Sequence, residues 1–446
     1  MPTKLFDDFD ALSKKHWKQL LQVDLKGDDY HDLITSTLEG IDINPFYTAE
    51  DFKGFFQEPV PNQDYKIAQR FFFSESSGLK HQMKVALDAG TSYIFLEASR
   101  NLEALIDFLK SIDFEDQMVI EVSKLNPKQI QTLCFNYKGA LNYDPIGNLE
   151  RTGYFPKGFD WGEFKSLMRL YSDQISIDLN AFIYAEAGAN ITQQISFSLS
   201  KAKDYMEKLN YQSDLVFSNH MSIGANFFFE ITKVRLFRKI WRDFNNSLGT
   251  NYEIGLSGKS SQRFFTTYDY NNNIIRSATA NLAAAIGGIE TLEQVPYDVH
   301  FKKKNEFSES VARSQLLVLK HETDILKKDW VLGNYFMDQL ADKLAIQIIK
   351  LCQEIEAKGG LLKGLFDHEI QEMVFLQHLR EYEAFQAQEI AVIGVQPYHD
   401  KTQKIKEEIE RNEHFKVVGK MINPILPVRI AYAKEQELIN LESDEA

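Results

Sequence analysis

Short apolar runs alternate with longer amphipathic stretches from about residue 84 onward. Four of the apolar runs are predicted to be buried strands: residues 92–97, 118–122, 175–179 and 252–256. Three of the amphipathic stretches have the three-to-four spacing of helices: residues 102–109, 191–209 and 226–244. This alternation predicts a parallel sheet covered by helices. Because the units are many and no Gly-rich dinucleotide fingerprint occurs, we predict an α/β fold with a TIM-type (β/α)8 barrel.

The pattern changes after about residue 274, where long periodic runs predict a mostly helical C-terminal part. These runs cover residues 274–286, 309–326 and 335–357. They are broken at Gly287–Gly288, at Gly333 and at Gly359–Gly360, as helix ends and turns would break them. We therefore divide the chain into an N-terminal extended arm, a barrel domain and an acidic tail that we expect to be frayed: residues 1–60, 61–432 and 433–446.

The N-terminal arm has large aromatic side chains but little core of its own: Trp17, Phe46, Tyr47, Phe55 and Phe56. Trp17 is predicted to begin a short helix. Buried aromatic side chains dominate many protein interfaces, so these anchors could bind a partner chain. The alternative is that they pack on the barrel of the same chain, and both interpretations stay open at this point.

A net charge of −14 argues against nucleic acid and anionic membranes as partners, because clustered Lys and Arg drive binding to both. The most basic stretch, Lys302–Lys304, is short and is predicted to be a solvated loop. Cys134 and Cys352 lie far apart in apolar contexts and are predicted to be buried, reduced thiols. With no signal peptide or membrane span apparent, we expect a cytoplasmic protein.

Catalytic signals are weak when the residues are considered alone. The ten histidines form no His-Glu-x-x-His pattern and no cluster with Cys at metal-ligand spacing, so we predict no metal site. Residues 144–147 and 186–190 each follow a strand candidate, which is where a barrel binds substrates, although turn chemistry is the simpler explanation for both. Gly287–Gly288 favours close helix packing over ligand binding.

Several segments, taken in order and spacing, resemble the methylmalonyl-CoA mutase family of acyl-CoA mutases. They are residues 37–48, 186–190, 228–235, 268–276, 283–288, 333–340 and 427–430. The resemblance spans roughly residues 10–432. It implies a TIM barrel that encloses a substrate thioester, joined in the catalytic members to a flavodoxin-like domain whose histidine ligates cobalamin. It also implies interconversion of methylmalonyl-CoA and succinyl-CoA by adenosyl radical chemistry, which the cofactor performs and the protein positions.

The departures from the family pattern bear on catalysis. Catalytic members carry a histidine beside an aromatic residue, three positions before the Glu-Ala-Gly-Ala motif, and here Phe182–Ile183 stands there. Isoleucine cannot donate the hydrogen bond that this histidine gives to the substrate carbonyl. Residues 64–73 lack the pattern of the family's early substrate-binding loop, and we find no segment matching the arginine for the substrate carboxylate. No Asp-x-His-x-x-Gly cobalamin signature precedes Ala446, so we expect no cobalamin-binding domain and no cofactor bound by this chain.

The leading hypothesis is therefore a degenerate barrel that serves as the small, non-catalytic subunit of a heterodimeric mutase. Its partner would be the large subunit, which would hold the adenosylcobalamin. A second hypothesis makes the chain the catalytic barrel of a split acyl-CoA mutase, with the cobalamin domain supplied in trans, and Ile183 argues against it. A third hypothesis is an unrelated barrel that binds a small molecule or regulates a partner.

Overall fold

The computed structural model describes residues 12–56, 64–73, 78–98, 101–400, 402–411 and 421–444. The N-terminal part begins with helix α1, Lys14–Asp24, whose first turn is capped by the Ser13 side chain. Two short strands follow, β1, Thr35–Ser36, and β2, Asp42–Ile43, and they pair antiparallel. The segments 1–11 and 57–60 of the predicted arm lie outside the described residues.

Eight parallel strands close into a barrel, in the order β10-β3-β4-β5-β6-β7-β8-β9. The strands are β3, Lys66–Phe72; β4, Tyr93–Glu97; β5, Met118–Glu121; β6, Ala140–Tyr143; β7, Ile175–Asp178; β8, Val216–Ile223; β9, Glu253–Ser260; and β10, Thr291–Glu293. The predicted TIM-type barrel is therefore confirmed.

Helices cover the barrel between successive strands. They are α2, Leu79–Asp88; α3, Leu102–Ser111; α4, Pro127–Asn136; α5, Pro145–Thr152; α6, Trp161–Tyr171; α7, Phe182–Glu186; α8, Ile191–Lys208; α9, Phe227–Leu248; and α10, Asn272–Gly287. Local sequence explains their ends. Asn190 and Gln193 form a capping box at the start of α8. Gly288, in the left-handed region at φ 86°, ends α10.

The C-terminal part is helical, as predicted. Its helices are α11, Glu306–His321; α12, Tyr335–Ala357; α13, Leu361–Phe366; α14, Glu369–Gln386; and α15, Tyr432–Asp444. The expectation of a frayed acidic tail, residues 433–446, is wrong up to residue 444, because α15 covers Tyr432–Asp444. Glu435 explains the difference, because it is fully buried, pairs with Arg429 at 2.6 Å and accepts a hydrogen bond from the Thr267 main chain.

The four predicted strands correspond to β4, β5, β7 and β9. Residues 64–73, which lack the pattern of the family's early substrate-binding loop, contain barrel strand β3. Alternate positions of β3 face the barrel axis and include Arg70, which interrupts the apolar run that marks a buried strand.

The N-terminal segment is tied to the body of its own chain. The Asp338 carboxylate on α12 accepts hydrogen bonds from the main-chain nitrogens of Lys53 and Phe55, at 2.7 and 2.5 Å. Tyr47 packs against Phe336 with ring centroids 5.4 Å apart. The aromatic anchors after residue 46 are thus used within the chain.

Candidate functional site

Ile183 lies at the carboxyl end of the barrel, on the short helix α7 that follows β7. Its side chain is buried and belongs to the main apolar core. The position where the family resemblance places a histidine is therefore an apolar one, and it presents no hydrogen-bond donor from its side chain. The preceding Phe182 is half-buried and faces the barrel residues described next.

Charged and polar side chains, together with one phenylalanine, occupy the barrel axis, and we call them the axial cluster: Arg70, Phe95, Glu121, His220, Lys259 and Glu293. Arg70 on β3 pairs with Glu293 on β10, its Nη2 lying 2.7 Å from Oε2, and also pairs with Glu121 on β5. Lys259 on β9 lies 3.5 Å from the Glu293 carboxylate. Most TIM barrels fill this space with layers of branched apolar residues, so ion pairs here are unusual.

Contacts across the full width of the barrel show that the axial cluster closes it. In the closed order of eight strands, β4 and β8 lie diametrically opposite each other. Nevertheless, Phe95 on β4 and His220 on β8 have ring centroids only 5.8 Å apart. Phe182 covers the cluster from the carboxyl end, with its ring 5.7 Å from His220 and 4.1 Å from the Lys259 Nζ. At this level of the barrel, side chains from opposite strands therefore meet on the axis.

The electrostatics of the axial cluster are self-compensating. Burial by itself would raise the pKa of Glu293, but Arg70 and Lys259 outweigh it and hold that pKa well below its usual range. Burial lowers the pKa of His220 to about 3, so the imidazole is neutral at physiological pH. Two cations therefore face two carboxylates, Glu121 and Glu293, and the cluster carries no net charge to attract a substrate.

Glu186, in the predicted loop 186–190, has a structural role at the same end of the barrel. Its carboxylate accepts hydrogen bonds from the Ser222 and Ser261 hydroxyls, at 2.6 and 2.7 Å, and from the Gln262 main chain at 3.0 Å. Gly188 sits in the left-handed region at φ 109°, and a Cβ there would lie 2.8 Å from that of His378. The loop thus joins β7, β8 and β9 and packs closely on α14.

Residues 144–147, the other predicted loop, contribute to a buried ion network that the sequence analysis did not find. Asp144 caps α5 and accepts hydrogen bonds from Lys201 on α8 and from the Tyr205 hydroxyl, both at 2.6 Å. Lys201 Nζ also lies 2.9 Å from Glu150, whose other oxygen accepts from Tyr184. Each of these groups has a partner, which indicates a structural network between α5, α7 and α8.

The remaining candidates from the sequence are a glycine pair and two cysteines, and their surroundings indicate structural roles. A Cβ on Gly287 would lie 2.9 Å from that of Val234, so the glycine permits the predicted close packing of α9 and α10. Burial raises the pKa of the Cys134 thiol to about 12 and that of Cys352 to about 11. Among the residues that the structure describes, no group of three or more His, Cys, Asp or Glu could hold a metal ion, and no helix could span a membrane.

Comparisons with known proteins point to one family. The family model described as methylmalonyl-CoA mutase matches residues 164–442. A methylmalonyl-CoA mutase small subunit of Porphyromonas gingivalis is 23% identical over 95% of this chain and 76% of its own length. A small subunit of Streptomyces virginiae is 21% identical over 80% of this chain and 66% of that relative. A methylmalonyl-CoA mutase of Rhizobium meliloti is 28% identical over 89% of this chain, which spans only 64% of that relative's length.

Proposed function

Because the chain belongs to the methylmalonyl-CoA mutase family, we propose that it is the small, non-catalytic subunit of a cytoplasmic heterodimer. In this proposal the large subunit binds adenosylcobalamin and interconverts methylmalonyl-CoA and succinyl-CoA. This chain supplies a closed barrel that supports its partner. The chain is thus part of an isomerase but is inactive alone.

The axial cluster is the observation that carries the proposal. A catalytic barrel of this family is expected to enclose the substrate thioester, whereas here Phe95 and His220 meet across the barrel and Arg70 bridges two carboxylates. The described residues therefore do not fit a substrate or an adenosyl group on the axis. Opening it would separate Arg70 from buried carboxylates, and breaking such pairs costs roughly 3–5 kcal/mol.

Ile183 gives a second argument that this chain is not catalytic. Even with an open axis, its buried aliphatic side chain could not donate a hydrogen bond to a substrate carbonyl. Loss of one donor to a developing oxyanion costs roughly 3 kcal/mol of transition-state stabilisation. Axial closure and donor loss are independent changes, and each opposes catalysis.

Exposed apolar side chains on both sides of the hairpin β1–β2 support the proposal that this chain binds a partner chain. The hairpin segment is held between α12 and α14, because Gln347 donates to the Gly40 carbonyl and Gln377 donates to the Leu38 carbonyl. Exposed apolar side chains occur on the hairpin and on both helices: Leu38, Ile346, Ile349, Phe375, Leu376 and Leu379. We call these side chains the hairpin face. Exposed apolar patches of this kind mark interaction sites.

The test is assembly with the large subunit encoded in the same genome. We expect the two chains to elute together from a sizing column, and we expect Phe375→Glu to prevent this because it places a charge in the hairpin face. Leu170→Glu is the matched control, since Leu170 is equally exposed on α6, away from the hairpin. Separate elution of the wild-type chains would overturn the heterodimer, and equal effects of the two variants would overturn the surface assigned to it.

A further inference from the structure

A cavity lies outside the barrel, between α2 and α11 and above the outer face of β3. Its volume is about 710 Å³, within the range of small-molecule binding sites. Gln69 and Phe71, on the outward side of β3, line it together with Val85 on α2 and Phe307 and Arg313 on α11. The cavity is separate from the axial cluster, because Arg70 between these two β3 residues points inward.

Gln69 is the polar group in this cavity that most needs a partner. The residue is only 3% exposed, and its Oε1 has no hydrogen-bond partner within the described part of the chain. A buried amide oxygen without a hydrogen bond costs about 1–3 kcal/mol, so buried polar groups nearly always have a partner. A ligand bearing an N–H group would satisfy this oxygen.

Arg313 on α11 also lines the cavity, and no ion pair joins it to a carboxylate in the part of the chain that the structure describes. The other lysine or arginine in the cavity, Lys304, is already held 3.0 Å from Glu309 and lies 3.9 Å above the Phe71 ring. A guanidinium binds carboxylates through two parallel hydrogen bonds. Because Glu306 and Glu309 also line the cavity, its four charged side chains sum to zero, which favours a singly charged anion over a phosphate dianion.

Apolar side chains on both walls complete the site. Phe307 on α11 and Val85 on α2 are exposed, at 70% and 48%, and both line the cavity with the Phe71 ring at its base. We propose that this cavity binds a small N-acylated carboxylic acid, with its carboxylate on Arg313, its amide on Gln69 and its apolar part between Phe307 and Val85. The proposal does not depend on the role of the chain in the mutase.

The test uses N-acetyl-L-phenylalanine as the probe, titrated into the full chain by calorimetry. We expect saturable one-site binding with a Kd below about 1 mM. Arg313→Met should raise the Kd at least about tenfold, whereas Arg169→Met, the control at an exposed arginine on α6, should leave it unchanged. N-acetyl-L-phenylalanine amide, which lacks the carboxylate, should bind as weakly to the wild type as the probe binds to Arg313→Met.

Gln69→Leu separates the amide contact from the charge contact. It should weaken binding of the probe but not of 3-phenylpropionate, which has no amide. It should also raise the melting temperature by removing a buried amide oxygen that has no hydrogen-bond partner in the part of the chain that the structure describes. Absence of probe binding up to about 5 mM would overturn the proposal. Equal binding to the wild type and to Arg313→Met would overturn it as well.

Discussion

Replacing Arg70 by methionine tests whether the axial cluster is a buried, mutually dependent set of charges. The variant keeps the length of the side chain but leaves Glu121 and Glu293 without their shared cation. Breaking a buried ion pair costs about 3–5 kcal/mol, and we expect the lower end because Lys259 still lies 3.5 Å from Glu293. The free energy of unfolding should therefore fall by about 3 kcal/mol.

The assay is urea unfolding followed by circular dichroism, at about pH 8. Arg238→Met is the matched control, because Arg238 pairs with Glu290 at 2.9 Å in a partly exposed position. Exposed pairs contribute about 1 kcal/mol or less, so this variant should lose far less stability. A loss in Arg70→Met no larger than in the control would refute the account of the barrel interior.

The pH dependence gives a second, independent readout of the same variant. In the wild type the lowered pKa of Glu293 means that its stabilisation is present above the unfolded value, about 4.3, and is lost as the pH falls through the folded value. In the variant, which lacks Arg70, burial dominates and raises the pKa of the Glu293 carboxyl. Protonation of this carboxyl therefore increases the stability of the variant. The stability difference between the two proteins should therefore shrink between about pH 8 and pH 5. A constant difference would contradict the electrostatic explanation.

Other positions yield further predictions. Lys201→Met should lower the free energy of unfolding by about 3–5 kcal/mol, and Lys203→Met, on the same helix but half-exposed, by about 1 kcal/mol or less, in urea unfolding. Burial raises the pKa of Asp178 to about 7, so the folded state keeps a proton that the unfolded state has released. Wild-type stability should consequently fall between about pH 4 and pH 7, and Asp178→Asn should remove up to about 1.4 kcal/mol per pH unit of that slope. Gly188→Ala should have a melting temperature well below that of Gly249→Ala. An alanine at 188 is strained at φ 109° and crowded by α14, whereas at 249, with φ 67°, the added Cβ meets no atom within 4 Å.

The pattern of hydrophobic residues was sufficient to predict a barrel, but it did not predict the polar side chains inside the barrel. Strands such as β4 and β5 are short apolar runs, and α12 was predicted with its observed bounds. Among the strands that were not predicted, β3 and β8 have Arg70 and His220 at inward positions that usually hold apolar side chains. Polar interiors therefore hide strands from a pattern based on hydrophobicity.

The axial cluster itself could not be inferred from spacing along the chain. Arg70 and Glu293 are 223 positions apart, and only the closure of β3 against β10 brings them together. The buried network at Lys201 has the same origin, since its carboxylate partners are the N-cap of α5, Asp144, and a residue within α5, Glu150, 57 and 51 positions away. Ile183 could be identified from the sequence alone, because the nearby Glu-Ala-Gly-Ala motif marks its position without any knowledge of the fold.

Mutase turnover with adenosylcobalamin tests the central claim most directly, measured for this chain alone, for the large subunit alone and for the mixture. The account predicts no turnover by this chain alone, including when a separate cobalamin-binding domain is supplied, and turnover by the mixture. Any turnover by this chain with a cobalamin domain in trans would contradict the proposal and identify it as the catalytic barrel of a split mutase.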